Sequence, residues 1–345
     1  MMSRTHYISG RNLHLAILAP SFCSRFGNHM SVVIATALLS PAFFSCQKEA
    51  SPQGTEPTPV QIYILRAKKT TFQGLDLFFF HDDALALLDS YQHIDAPALE
   101  RVQGIAGSGA HHLVAFSNVP ASRFQWSDIR SVPALSSVSF SLEDDSPAAP
   151  FLFGQCPLEE GRSRSCTLRL TPALCKIELR SLSCDFRGKA YEGLPFHLER
   201  IFLTYANEAY QPLSPGTAMS YRNPGYLAEA SSFQHPEMLL RPIGQDITAT
   251  RTELEESLYC YPNPATGAEM GRMPTHLVLE GTLDGQHCYY PIPLPALEAN
   301  THYSVQLTLT RLGSTDPDIP VESGTFILES ETQPWNQAEN RTISF

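Results

Sequence analysis

The dipeptide Asp284-Gly285 stands between two alternating apolar runs, and no other stretch limits the fold so tightly. Asp-Gly suits the two central positions of a type I′ turn, which need positive φ and match the right-handed twist of the flanking strands. With a two-residue loop, Leu283 and Gln286 close the hairpin and the register runs outward from them. Leu277, Leu279 and Leu283 then share a face with Ile292, Tyr290 and Cys288, and that apolar face must be covered. Tyr303, Val305, Leu307 and Leu309 alternate with Ser304, Gln306, Thr308 and Thr310, which supplies a third antiparallel strand to pack there. The same register turns the backbone groups of residues 289, 291, 293 and 295 away from the hairpin partner. Pro291, Pro293 and Pro295 hold three of those positions and have no N–H, so the outer edge of the strand Cys288 to Pro295 is blunted against an added strand.

The rest of the chain is read by the same rules. With 27 prolines, 20 glycines and 43% hydrophobic residues it is rich in turns and short strands, and all-β is the expected class. Val60 to Leu65 (VQIYIL) and Leu75 to Phe80 (LDLFFF) are β-branched and aromatic runs that predict strands buried on both faces. Asp82 and Asp83 would cap a short helix from Ala84 to Leu88. His112 to Phe116 gives the next strand. Val138, Phe140 and Leu142, alternating with serines, predict a half-buried strand that closes a first domain. Glu143 to Ser165 is acidic, then proline-containing, then polar, with no sustained period, and the domain boundary falls in its later half. Beyond it, Leu168 to Leu182 and Phe196 to Tyr205 read as strands, and Glu208 to Thr252 as a long polar, proline-rich excursion.

Upstream of all this, Ser31 to Glu49 (SVVIATALLSPAFFSCQKE) places fifteen uncharged residues before Cys46. A bilayer span needs about 20 apolar residues, so the run reads as an export signal that is removed. Ser45-Cys46 is similar to the end of a bacterial lipoprotein signal, whose cysteine becomes the acylated first residue and anchors the chain to a membrane. Phe43 stands where such signals usually carry leucine. The expected organisation is a signal peptide over 1–45, with the true start codon open, and a lipidated Cys46 with a proline-rich tether over 46–59. At about 100 to 200 residues per domain, the remainder divides into an N-terminal β-sandwich over 60–160 and a C-terminal one over 161–345. The net charge of −11, with no lysine- or arginine-rich block, argues against a nucleic-acid partner. Six cysteines remain after Cys23 and Cys46 are set aside: Cys156, Cys166, Cys175, Cys184, Cys260 and Cys288. An even number in an exported chain permits disulfides, with buried free thiols the equal alternative. Cys175 and Cys184 cannot pair within one strand, since nine extended residues span roughly 30 Å.

Several stretches together resemble one family. LYCYPN (258–263), THLVLEG (275–281), YYPI (289–292), NTHY (300–303) and LGSTDP (312–317) occur in the order and spacing of the fimbrillin superfamily of Bacteroidales. LDLFFFHDDALALLDSYQ (75–92) and HLVAFSNVP (112–120) resemble the first domain of the same lipoprotein subunits, and the resemblance covers most of Val60 to Phe345. It implies two tandem transthyretin-like antiparallel β-sandwich domains with short helices and long loops. It also implies export as a lipoprotein to the outer membrane and assembly into a surface fimbria, as stalk, tip or anchor, by exchange of a β-strand between subunits, in support of adhesion to host or bacterial surface ligands. In stalk subunits a protease cuts after a basic residue near the N-terminus to release the first strand; Arg66, at the end of VQIYILR, is the matching position here, and an ordinary exposed arginine is the plain alternative. The cysteine-rich run from Cys156 to Cys184 departs from the family pattern.

Two other functions compete. Catalysis finds no constellation: adjacent residues on a strand point to opposite faces, which separates Asp82 from Asp83 and His111 from His112, and His276, His287 and His302 fall on the polar faces of their strands. Neither CxxC or HxxxH metal spacing nor G-x-S-x-G, H-E-x-x-H or a phosphate-binding glycine loop occurs, so no enzyme, cofactor or metal is expected. A surface glycan-binding lipoprotein would share the anchor, tether and sandwiches, and its mark would be exposed rings. Trp126, Trp335, Tyr210, Tyr221 and Tyr226 are the residues to place.

Overall fold

The computed structural model describes residues 57–65, 72–95, 100–107, 109–120, 123–159, 164–217, 219–223, 233–267, 272–319, 326–332 and 341–343, the last two by their backbone alone. The signal segment, Cys46, most of the tether, Arg66, Tyr226 and Trp335 lie outside the described residues.

The first part of the chain forms β1 (Thr58–Leu65), β2 (Gly74–His81), β3 (Leu88–Asp95), β4 (Arg101–Ala106), β5 (Ala110–Ser117), β6 (Phe140–Ser141), β7 (Leu152–Pro157), β8 (Arg164–Arg169) and β9 (Thr171–Pro172). All but β6 make two sheets, ordered β4-β1-β8 and β3-β2-β5-β7-β9. Val60, Ile62 and Ile64 of β1 meet Leu75, Leu77 and Phe79 of β2 between them. On its far face β2 presents Phe78 and Phe80 to a second, larger core that also holds Phe116 and Trp126, so the LDLFFF run is buried on both faces. By contrast β1 is buried on one face only: Tyr63 and Leu65 point outward at 45% and 48% exposure.

The second part forms β10 (Cys175–Cys184), β11 (Phe196–Thr204), β12 (Ala206–Asn207), β13 (Ala209–Tyr210), β14 (Tyr221–Arg222), β15 (Leu240–Ile247), β16 (Thr252–Cys260), β17 (His276–Leu283), β18 (Gln286–Pro293), β19 (Thr301–Leu309), β20 (Phe326–Thr332) and β21 (Arg341–Ile343). Apart from the short pairs β12-β14 and β13-β6, its strands form two sheets ordered β15-β11-β17-β18 and β16-β10-β19-β20-β21. The chain is thus all-β, with two packed sandwiches. Most pairings are antiparallel, and each sandwich has one parallel pair, β1 with β8 and β10 with β19.

The hairpin has the register its turn dictates, with Leu283 opposite Gln286, Leu279 opposite Tyr290 and Leu277 opposite Ile292. Asp284 and Gly285 take φ of 52° and 70°. The strand from Thr301 does not join it: β19 lies in the facing sheet and covers the hairpin across the core. The prolines account for this. With no N–H at Pro291 and Pro293, the outer edge of β18 cannot hold a regular ladder. Among the described residues only Tyr289 bridges outward, donating to Ser314 O at 2.7 Å and accepting from Ser314 N at 2.8 Å.

Other expectations change. No helix forms over Ala84 to Leu88; Asp83 Oδ1 accepts from Leu85 N at 3.0 Å and Ala86 N at 2.7 Å in a tight turn, and Ala86 has a φ of 45°, which a right-handed helix excludes. The serine alternation around Phe140 gives only the two-residue β6, because serines bond locally instead of continuing a ladder. Ser137 Oγ donates to Ala134 O at 2.7 Å and Ser141 Oγ accepts from Glu143 N at 3.3 Å. A short helix α1 (Val132–Ser136) precedes it, and β6 pairs with β13, joining the two parts rather than closing the first. Segment 164–172, read as the start of the second domain, supplies β8 to β1 and β9 to β7 and so completes the sheets of the first. The long excursion contains β15, paired along β11; of its eight residues only Ile247 is buried, which hid it.

Candidate assembly interface

β1 sits inside its sheet with a neighbour on each side. Thr58–Tyr63 pair antiparallel with Arg101–Ala106, and Val60–Leu65 pair parallel with Arg164–Arg169. Val60 and Ile62 are fully buried and Ile64 is 4% exposed. Burying each such side chain is worth about 1.5–3 kcal/mol. On the side facing out, Arg101 donates to Gln61 Oε1 and its guanidinium lies 5.6 Å over the Tyr63 ring, while Leu65 stays exposed. Opposite Val60 stands Gly104, where a Cβ would come 2.6 Å from Phe79 Cζ. A side chain there would push Phe79 out of the groove that β1 fills. On the other flank the buried Arg164 of β8 donates from Nη1 to Gly107 O at 2.6 Å and from Nη2 to Ala110 O. On the β4 side Ser90 Oγ donates to Ile105 O at 2.9 Å and Ile105 N donates to Gln92 Oε1 at 3.0 Å, so both walls of the β1 slot have contacts that do not involve β1. Arg66 follows directly in sequence and lies outside the described residues.

The two sandwiches meet at a buried carboxyl that the sequence did not mark. Asp145 is fully buried; it accepts from Ser146 N at 2.7 Å, Phe151 N at 2.9 Å and, across the junction, Tyr261 Oη at 3.1 Å. Burial pushes its pKa up from 3.8 to about 7, against the pull of those donors. Between pH 4 and 7 the unfolded chain ionises this group while the folded one keeps the proton. Stability therefore falls as pH rises through that window, at about 1.4 kcal/mol per pH unit and about 4 kcal/mol in all. Asp145→Asn is expected to flatten the profile from pH 4 to 7 in urea unfolding; an unchanged slope would remove Asp145 as its source.

The residues weighed for chemistry are dispersed. Asp83 caps its turn and Asp82 is exposed. His112 Nε2 approaches Gln155 Oε1 at 3.3 Å. His302 and Lys176 lie 3.2 Å and 2.7 Å from Glu178 and hold its pKa down to about 2. Contrary to its alternation, His276 is buried, because Tyr205 packs edge-on over it at 5.5 Å, and burial lowers its pKa. Glu199, Glu280 and His287 bring ligand atoms within 4.8 Å of one another on the outer face of the hairpin sheet. Arg200 already takes both oxygens of the buried Glu280, so a cation would have to displace an ion pair. Among the described residues the candidate sugar rings do not form a platform: Trp126 and Tyr210 are buried in the core, and Tyr221 Oη accepts from Met273 N at 3.1 Å while its ring meets Tyr205 edge-on. Among the described residues no helix is long and apolar enough to cross a membrane.

Two packed sandwiches joined by a buried junction, the first built around an internal N-terminal strand, define the class: the chain shares its all-β fold with a fimbrilin and with proteins assigned to cell adhesion. Solved structures of similar fold include a protein of Bacteroides eggerthii assigned to cell adhesion, 16% identical, with 80% of this chain and 95% of that one covered and a TM-score of 0.61. A Parabacteroides distasonis protein with the same assignment is 10% identical over 83% and 99% of the two chains, at 0.59. A fimbrilin of Porphyromonas gingivalis is 14% identical over 77% and 93%, at 0.54. No protein-family model and no curated protein matches the sequence.

Proposed function

We propose that this chain is a structural subunit of a cell-surface fimbria, exported as a lipoprotein through Cys46 and joined to other subunits by exchange of β1. The observation that carries the reading is the place of β1: apolar on one face, flanked on both sides by strands anchored without it, and followed by Arg66. A sandwich that loses such a strand keeps a groove of unpaired backbone groups, which a strand from another subunit fills by β-augmentation. Similarity of fold to a fimbrilin and to proteins assigned to cell adhesion supports the same conclusion. The blunted edge of β18 favours the β1 slot over the hairpin as the place of addition. The buried junction at Asp145 and Tyr261 suits a subunit that transmits load along a filament. The sandwiches have a structural role and no catalytic one. The division into a tether over 46–59 and two sandwich domains belongs to this reading, with the boundary moved past Pro172 so that β8 and β9 stay with the first.

The mature N-terminus tests it. Mass spectrometry of the protein on cells is expected to show a start at an acylated Cys46 or, after cleavage at Arg66, at Ala67, and Cys46→Ala is expected to shift the protein from the membrane fraction to the medium. Equal membrane retention of the variant, with a start elsewhere, would exclude the lipoprotein route.

A further inference from the structure

We propose that Cys156 and Cys166 form a disulfide that ties β8 to β7 across the first sandwich. On β7 the inward positions are Leu152, Gly154 and Cys156, and on β8 they are Arg164, Cys166 and Leu168. The two strands are consecutive, and the segment after β8 returns along β7, with Phe153 opposite Thr171 and Leu152 opposite Pro172. They come close enough that a Cβ on Gly154 would lie 2.3 Å from Arg169 O. This course brings the two sulfurs together between the sheets. Cys166 donates its S–H to the Cys156 sulfur, which lowers the pKa of Cys156 and raises that of Cys166, and both side chains are 8% exposed.

The other four cysteines are placed differently. Cys175 lies opposite Cys260 in the β10–β16 pairing, both fully buried. Directly opposed residues of antiparallel strands hold their Cβ atoms about 4.5–5.5 Å apart, wider than the about 3.8 Å of a relaxed disulfide. Cys175 Sγ donates to Glu298 O at 3.1 Å and also lies in hydrogen-bond contact with Cys260, and Cys184 Sγ points to Ile247 O at 3.6 Å.

The reaction is exchange with an external disulfide, that of a thiol oxidoreductase or of oxidised glutathione. The Cys156 thiolate attacks one sulfur of the reagent and displaces the other as a thiolate. The Cys166 thiolate then attacks Cys156 Sγ and releases the second. One Sγ–Sγ bond forms, one external S–S bond breaks, and the two protons leaving the cysteines go to the reagent's two thiols. Because both sulfurs are buried in the finished sandwich, the bond forms while the sheets are still closing. Its consequence, which rests on the strand-exchange reading although the bond does not, is that β8 remains fastened to β7 when β1 leaves.

Peptide mapping of the full chain tests this, with protein harvested from cells that export it and alkylated in denaturant without reductant. Trypsin cuts after Arg162 and Arg164, so the two cysteines fall on separate peptides. The expected result is one linked pair containing Cys156 and Cys166, lost on reduction, with Cys175, Cys184, Cys260 and Cys288 alkylated. Alkylation of both Cys156 and Cys166, or a bond from either to another cysteine, overturns the proposal. Reductant should also lower the melting temperature of the wild type by about 5–10 °C and leave Cys156→Ala/Cys166→Ala unmoved; a wild type indifferent to reductant overturns it as well.

Discussion

Deletion of residues 60–66 is expected to turn a monomer into concentration-dependent oligomers and to lower its stability by several kcal/mol. The deletion removes Val60, Ile62 and Ile64 from the core, each worth about 1.5–3 kcal/mol, and leaves β4 and β8 without their shared neighbour. The groove it opens does not collapse readily, because Gly104 and the Phe79 ring shape its floor and Arg164 pins β8 to the turn before β5. Its unpaired N–H and C=O groups, lined by apolar side chains, favour capture of a strand from another molecule. Analytical ultracentrifugation over a range of concentrations reads the outcome. A synthetic peptide of the β1 sequence should return the variant to monomer by filling the slot. A deletion variant that stays monomeric at wild-type stability would place exchange elsewhere or nowhere.

The second large effect is expected at Trp126, where replacement by alanine should cost about 3–5 kcal/mol, a melting-temperature loss of roughly 10 °C at this chain length. The ring is 7% exposed and stacks at 10° on Phe116 and Phe124, with centroids 5.7 and 4.9 Å away, and meets Phe78 edge-on at 5.2 Å. Phe78 belongs to β2, whose alternate residues fill the other core, so loss of the indole loosens the sheet both cores share. Thermal unfolding followed by circular dichroism decides the matter. Near-wild-type stability would mean that the ring contributes little to packing and would reopen a sugar-stacking role.

The residues weighed for sugar binding and for catalysis are dispersed at different levels of structure. The paired histidines were already separated by strand geometry in the sequence, and Asp83 by its role as a cap. Burial of Trp126 and Tyr210 needed the fold, since an isolated aromatic in a loop-like stretch carries no sign of which side chains will surround it.

What the sequence determined by itself was wherever local chemistry is sufficient. Asp284-Gly285 set a turn, the turn set a register, and the register set which prolines lack a donor on the open edge. The run LDLFFF, apolar but for Asp76, required a strand covered on both faces. Tertiary structure decided everything that depends on a distant neighbour. β4 has glycine at its inward position 104 and isoleucine, 52% exposed, at its outward position 105; the Phe79 ring occupies the space that a side chain at 104 would need. β8 and β9 joined the first sandwich because β1 and β7 offered open edges, and β19 crossed to the far sheet because β18 did not. Asp145 became a buried acid only once Tyr261, 116 residues later, closed over it. Strand partners, layer membership and desolvation are properties of the packed assembly, because the free energies that select them arise from surfaces brought together across long sequence separations.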